Sequence, residues 1–341
     1  LVQSNEDFDK LRLEMLALKK ALDESTSQQE TRKLALAYAD KSKNVSINEL
    51  YEKGLDYSWG YKGKSIDYYE AKKWYQMAAE QGHARAQYNL GVLFSEGRGG
   101  QQNYKLAFYW YQKAAKQSLS EAQYNLALMH HNGRWVQQNY KQAAYWYQKA
   151  AEQGYASAQF NFGAMYNIGL SVQQNYKQAA YWFQKAAKQG YAVAQYNLGV
   201  MYREGLGVQQ NLKQAIYWFK QAAEQGHANA LFNLGVMYQE GLGVQQNYKQ
   251  AAYWHKKGAE HGYAKAQTNL GVLYQEGLGV QQSYKQAIYW YKKGAEQDNA
   301  IAQNNLGAIF NKGLGALQNY KQAVYWYKKA AEQGYTTAQT N

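Results

Sequence analysis

The chain has 341 residues, 46% of them hydrophobic, with no proline and no cysteine. This mixture excludes a disordered polymer, disulfide staples and thiolate metal sites, and it fits a reducing or an oxidising compartment equally. Lys and Arg outnumber Asp and Glu by 38 to 25, a formal charge of +13, while no run approaches the roughly 20 apolar residues of a membrane-spanning helix.

Residues 1–46 read as a helical segment with eight basic and eight acidic side chains, so the net charge lies beyond it. Leu11, Met15, Leu18 and Leu22 alternate spacings of four and three, a coiled-coil stripe over about two heptads. Two roles fit it: a cap on the first repeat, because the end of a repeat array needs a polar outer surface, or a contact with a partner or second copy.

From residue 47 onward the sequence repeats. Trp74, Trp110, Trp146, Trp182, Trp218, Trp254, Trp290 and Trp326 are each 36 residues apart. Boundaries set after the recurrent Gly give eight units over residues 47–334, and residues 335–341 open a ninth. Residues 335–341 stop mid-pattern, which leaves further repeats open, and the start at Leu1, without Met, fits a removed signal peptide, a lipid-anchor leader or a trimmed chain equally.

Each unit predicts helix A, a Gly loop and helix B. In the unit His227–Gly262, helix A is expected over Ala228–Glu240, closed by Gly241 and Gly243. Asn247 is placed to cap helix B, as are Asn103, Asn139, Asn175, Asn211, Ser283 and Asn319. Gly262 ends helix B, as do its equivalents, with Ser118 and Asp298 as exceptions. Helices of about 13 residues are marginal alone, so neighbouring pairs must stack to bury their apolar faces. His255 stands where other units carry Tyr111, Tyr147, Phe183, Phe219, Tyr291 or Tyr327, and is expected to pack as a ring.

The string Ala194–Gly207, A-Q-Y-N-L-G-V-M-Y-R-E-G-L-G, with K-Q-A-I-Y-W-F at Lys213–Phe219, resembles the Sel1-like repeat, a relative of the tetratricopeptide repeat. The resemblance covers residues 47–341 and is weakest in the first unit, where Tyr57, Ser58 and Trp59 interrupt it. It implies an all-α, right-handed α-solenoid of 36-residue helix-turn-helix repeats, with helix A on the inner, concave face and a scaffold or adaptor role. The paired cysteines of some bacterial members are missing here.

On helix A of the sixth unit, Ala230, Leu231, Leu234, Gly235, Met237 and Tyr238 fall on the core side. Asn229, Phe232, Asn233, Val236, Gln239 and Glu240 fall on the other, the expected binding face for a protein or extended peptide. One position there is constant: Asn89, Asn125, Asn161, Asn197, Asn233, Asn269 and Asn305. Others vary, including Ser95, His131, Asn167, Arg203, Gln239, Gln275 and Asn311. A row of amides can hydrogen-bond an extended backbone whatever its sequence, or it can lock adjacent repeats together. Tyr88, Tyr124, Phe160, Tyr196 and Phe232 offer apolar anchors on this face or pack between repeats, and give way to Thr268 and Asn304.

Helix B carries the basic charge, in Lys105, Lys141, Lys177, Lys213, Lys249, Lys285 and Lys321, with pairs such as Lys292–Lys293 and Lys328–Lys329 toward the C-terminus. Interleaved with tyrosines, this face reads as a solvated surface or as a site for an acidic protein, an anionic membrane or a nucleic acid. No metal or cofactor is expected: His130 and His131 are adjacent and point about 100° apart on a helix, and the G-L-G turns lack the Lys-Ser/Thr of a phosphate loop. No nucleophile, base and orienting group can be assembled, so neither an enzyme nor a small-molecule substrate is expected. An immunity or inhibitor protein that blocks a toxin would be a specialised form of the same binding class.

Overall fold

The computed structural model describes residues 45–335. The stripe from Leu11 to Leu22 and the ninth unit beyond Tyr335 lie outside the described residues. Within them the protein is all-α: sixteen helices and no strand. They divide into two compact units between Gln174 and Asn175.

The first unit holds α1 (Ile47–Trp59), α2 (Tyr68–Glu80), α3 (Ala84–Glu96), α4 (Tyr104–Lys116), α5 (Ser120–Asn132), α6 (Tyr140–Glu152) and α7 (Ala156–Ile168). The second holds α8 (Tyr176–Lys188), α9 (Ala192–Glu204), α10 (Leu212–Glu224), α11 (Ala228–Glu240), α12 (Tyr248–Glu260), α13 (Ala264–Glu276), α14 (Tyr284–Ala295), α15 (Ala300–Lys312) and α16 (Tyr320–Glu332). Odd-numbered helices are the A helices and even-numbered ones the B helices, and within each unit every helix packs on the next. This pairwise stacking makes the chain an α-solenoid of helix pairs.

The capping chemistry is asymmetric. All eight B helices have a side-chain cap, as in Asn247 accepting from the Gln250 N–H at 3.0 Å. Half of the A helices lack one: those preceded by Leu119, Tyr155, Tyr191 and Tyr263. Each A helix instead ends at a left-handed glycine, for example Gly241 at φ 70°, whose N–H bonds the Met237 carbonyl. The loop is then closed by a glutamine that reaches back seven residues: Gln246 Nε2 donates to the Gln239 carbonyl at 2.8 Å, and Gln102, Gln138, Gln174, Gln210, Gln282 and Gln318 repeat the bond. Ser118 and Asp298 occupy the place of the glycine that ends helix B and share its left-handed backbone, at φ 63° and 57°.

The core lies between consecutive helices. In the second unit, Phe219, Leu231, Leu234, Met237 and Trp254 form one cluster, with Ala215, Ala222, Ala223 and Ala230 letting the helix axes approach. Gly235 is required there, because a Cβ at that position would sit 2.4 Å from the His255 ring. Gly91 faces Tyr111, Gly199 faces Phe219 and Gly271 faces Tyr291 in the same way.

Candidate partner-binding site

Five of the six residues expected on the core side of helix A are buried in α11, and the sixth, Tyr238, is no more buried than most of the opposite face. In α11, Ala230, Leu231, Leu234, Gly235 and Met237 are buried, Tyr238, Phe232, Asn233, Val236 and Gln239 are half-buried, and Asn229 and Glu240 are exposed.

The asparagine row meets the ring row of the preceding B helix, fourteen residues earlier. Asn89 lies near enough to the Tyr75 phenol to favour its ionised form, as do Asn125 for Tyr111, Asn161 for Tyr147 and Asn305 for Tyr291. Burial pushes these phenols above their ordinary range, and the amide partly opposes the shift. Asn125 also reaches Tyr88, whose hydroxyl burial pushes up to about 12. In the repeat with a histidine ring, Asn269 Nδ2 lies 3.5 Å from His255 Nε2.

Two members differ. Fourteen residues before Asn197 and Asn233 stand Phe183 and Phe219, which have no hydroxyl. Asn197 Nδ2 donates to the Val193 carbonyl of its own helix at 2.8 Å, and Asn233 Oδ1 accepts from an Arg203 guanidinium nitrogen at 3.3 Å. That guanidinium lies 5.9 Å from the Phe219 ring centroid and pairs with Glu204 at 2.7 Å. Arg203 takes the place of Ser95, which bonds the Tyr111 hydroxyl at 3.1 Å, and of Gln275, which accepts from Tyr291 at 3.1 Å.

The aromatic positions are half-buried and lie against other rings. Tyr88 is 5.9 Å from Tyr111, and Tyr124 lies 5.9 Å from Tyr147 and 5.1 Å from Tyr155. Tyr196 stacks on His227 at 4.6 Å, and Phe232 is 5.8 Å from His255. Phe160 is half-buried on α7. The buried Thr268 hydroxyl instead donates to the Ala264 carbonyl at 2.8 Å.

A second amide row was not singled out by sequence reasoning. Gln87, Gln123, Gln159, Gln195, Gln267 and Gln303 are buried, and each donates to a carbonyl of the preceding B helix, as Gln267 does to Ala259 at 3.1 Å. The signal was present: these glutamines recur every 36 residues on the core side, two residues before each asparagine. They join repeats; they do not face a ligand.

On the B helices Tyr145, Tyr181, Tyr217, Tyr253, Tyr289 and Tyr325 are 42–52% exposed. Each lies edge-on to the tryptophan that follows it, with centroids 4.8–5.0 Å apart. Lysines lie over several of these rings, as Lys257 does over Tyr253 at 4.9 Å. His130 is buried against Phe108, and burial lowers it to about 4. Among the described residues no three His, Asp or Glu side chains are grouped to hold a metal, and no helix is long and apolar enough to cross a membrane.

The Sel1 repeat model matches residues 45–83, 84–119, 120–155, 156–191, 192–227, 228–263, 264–299 and 300–335. Among solved structures, the chain is similar to a protective antigen present in uropathogenic Escherichia coli strains that displays an SLR fold. The identity is 35% and the TM-score 0.82, over 95% of this chain and 73% of that one. It is also similar to a Sel1 repeat protein from Oxalobacter formigenes, with 31% identity and a TM-score of 0.67, over 96% of this chain and 91% of that one. No curated protein matches the chain.

Proposed function

The chain belongs to the Sel1 repeat family, and from that premise we propose that it is a scaffold that binds a protein or extended peptide along the A-helix face of its second unit. One observation carries this reading. In α9 and α11 the polar ring atom that faces the asparagine of other repeats, a tyrosine hydroxyl or the His255 nitrogen, is missing, and Asn197 and Asn233 turn to the helix backbone and to Arg203. Amides held this way can exchange those bonds for a ligand backbone. At about 1 kcal/mol net per hydrogen bond they cannot hold a flexible peptide alone. Arg203, the 37%-exposed Val193 and the half-buried Tyr196 and Phe232 supply the remaining contact surface.

The test is co-purification with the folded Asn197→Ala/Asn233→Ala/Asn269→Ala variant. Loss of the partner supports the reading, and capture equal to the parent removes it. Action as an immunity or inhibitor protein is the same binding directed at a toxin, and rescue of toxin-expressing cells would distinguish it.

A second reading rests on the half-exposed tyrosines and their lysines on the B helices, which suit an acidic protein, anionic polymer or anionic membrane surface. Binding that ignored salt, or that survived neutralising Lys292, Lys293, Lys328 and Lys329, would sink it.

A further inference from the structure

Of the eight tryptophans that recur every 36 residues, Trp110, Trp146, Trp182, Trp218, Trp254 and Trp326 are less than one tenth exposed, and Trp74 and Trp290 are half-buried. Trp135 is off that period, 51% exposed, and left-handed at φ 68°. It stands in the A–B loop where five other repeats place Gly99, Gly207, Gly243, Gly279 and Gly315, and where the next repeat places Ser171, also left-handed at φ 59°. A bulky residue with positive φ is unfavourable in backbone terms, and an exposed indole is unfavourable in solvation terms. Nothing in the fold requires either.

Its surroundings are equally particular. Arg134, next in the chain, stacks on Tyr104 at 5.7 Å, and Lys105 lies 5.5 Å from the Trp135 ring. One repeat earlier Arg98 stacks on Tyr68 at 5.1 Å and donates to its hydroxyl at 3.3 Å. The loop bearing Arg98 runs directly into α4, whose first turn carries Tyr104 and Lys105, so the two basic loops belong to consecutive repeats of the first unit. Every later repeat has leucine at the arginine position: Leu170, Leu206, Leu242, Leu278 and Leu314. The sequence has only six arginines, and lysine carries the charge elsewhere. Between Gly97 and Ala151 there are seven basic residues and one carboxylate, Glu121. Just before that stretch Glu96 pairs with Arg98 at 2.8 Å.

We infer that Arg98, Lys105, Arg134 and Trp135 form a docking surface for an acidic segment of a partner protein, separate from the A-helix face. The phenol rings hold the guanidinium groups flat, which favours two-point hydrogen bonding to carboxylates. Burying a single central indole between arginines is the usual make-up of a protein interface anchor. A nucleic-acid site would instead present successive exposed rings along a basic groove. The basic side chains of Arg98, Lys105 and Arg134, against the single carboxylate of Glu96 that pairs with Arg98, select an acidic partner and speed its approach.

The test titrates the full chain with three probes: a labelled peptide alternating Glu and Leu, a single-stranded oligonucleotide of equal charge, and vesicles containing phosphatidylserine. The peptide is expected to bind most tightly and to lose roughly tenfold in affinity in Arg98→Glu/Arg134→Glu, with Lys292→Glu/Lys293→Glu and Asn197→Ala/Asn233→Ala unchanged. Trp135→Gly separates binding from folding: it should melt at a higher temperature than the parent while binding the peptide more weakly. Tighter binding of the oligonucleotide or the vesicles would overturn the inference. So would peptide affinity that Arg98→Glu/Arg134→Glu leaves intact, or a Trp135→Gly variant that binds as well as the parent.

Discussion

Gln297 donates its Nε2–H to Oε1 of Gln267 at 2.8 Å, joining the end of helix B to the start of helix A within one repeat. Gln117 and Gln87, Gln153 and Gln123, Gln225 and Gln195, and Gln333 and Gln303 form the same pair. In the sixth repeat both members are replaced together, by the buried Leu231 and the exposed His261. Each replacement explains the other, because an apolar side chain needs no donor and an imidazole at the surface needs no buried acceptor.

Leu231→Gln alone is therefore expected to destabilise the protein by about 2 kcal/mol, through lost apolar burial and an unpaired amide oxygen. His261→Gln alone should be nearly neutral. The double variant should recover about 1 kcal/mol as the pair re-forms. Chemical denaturation of the four proteins measures this coupling, and additive effects would show that the pair does not form.

Acid should weaken the fold through two histidines. Burial lowers His130 and His255 to about 4 from an ordinary 6.5, so the unfolded chain binds more protons than the folded one between those values. Their contribution is fully present above pH 6.5 and is lost as the pH falls toward 4, at about 1.4 kcal/mol per pH unit per histidine at most. His255→Tyr, which restores the ring of neighbouring repeats, should flatten this dependence in melts between pH 7 and pH 4.5. An unchanged slope would place the acid sensitivity elsewhere.

Ser118 adopts a left-handed backbone where six of the eight repeats carry glycine. Ser118→Gly should raise stability by about 0.5–1 kcal/mol, because glycine accepts that conformation without the Cβ penalty. A rise in melting temperature is the expected result, and a fall would mean that the serine side chain contributes more than its backbone costs.

Phe219→Tyr would return a hydroxyl to the neighbourhood of Asn233, matching the arrangement of Tyr291 with Asn305. The variant should be as stable as the parent and should capture the A-face partner less well, because Asn233 would be engaged within the fold. Equal capture, measured by co-purification at matched stability, would remove Asn233 from the contact surface.

The period, the helix bounds and the B-helix caps were legible because each is local: a tryptophan interval, a glycine turn, an Asn before a helix. The partners of the asparagine row were not. Identity at a 36-residue interval fits an amide facing a ligand and an amide facing a ring equally, and only the position of the Tyr75 or Tyr147 hydroxyl separates the two. The buried glutamines were missed for a related reason, since polarity placed them outside the apolar pattern although a carbonyl of the preceding helix satisfies them. Trp135 was obscured because its off-period position carries no repeat signal.

The division of bonds within and between repeats bears on how such a chain can change length. The glutamine links between repeats end on main-chain carbonyls, which any residue provides, as Gln303 shows with Ala295. The matched side chains, Gln267 with Gln297 and Gly235 with His255, lie within a single repeat. Where the asparagine meets a ring across the repeat boundary, it accepts tyrosine or histidine and finds another partner when the ring is phenylalanine. Duplication or excision of a whole repeat thus carries these matches with it, whereas a crossover inside one would separate Leu231 from His261 or Gly235 from its ring. The 36 residues are a self-contained structural step, and an array lengthened or shortened by that step keeps the same core contacts.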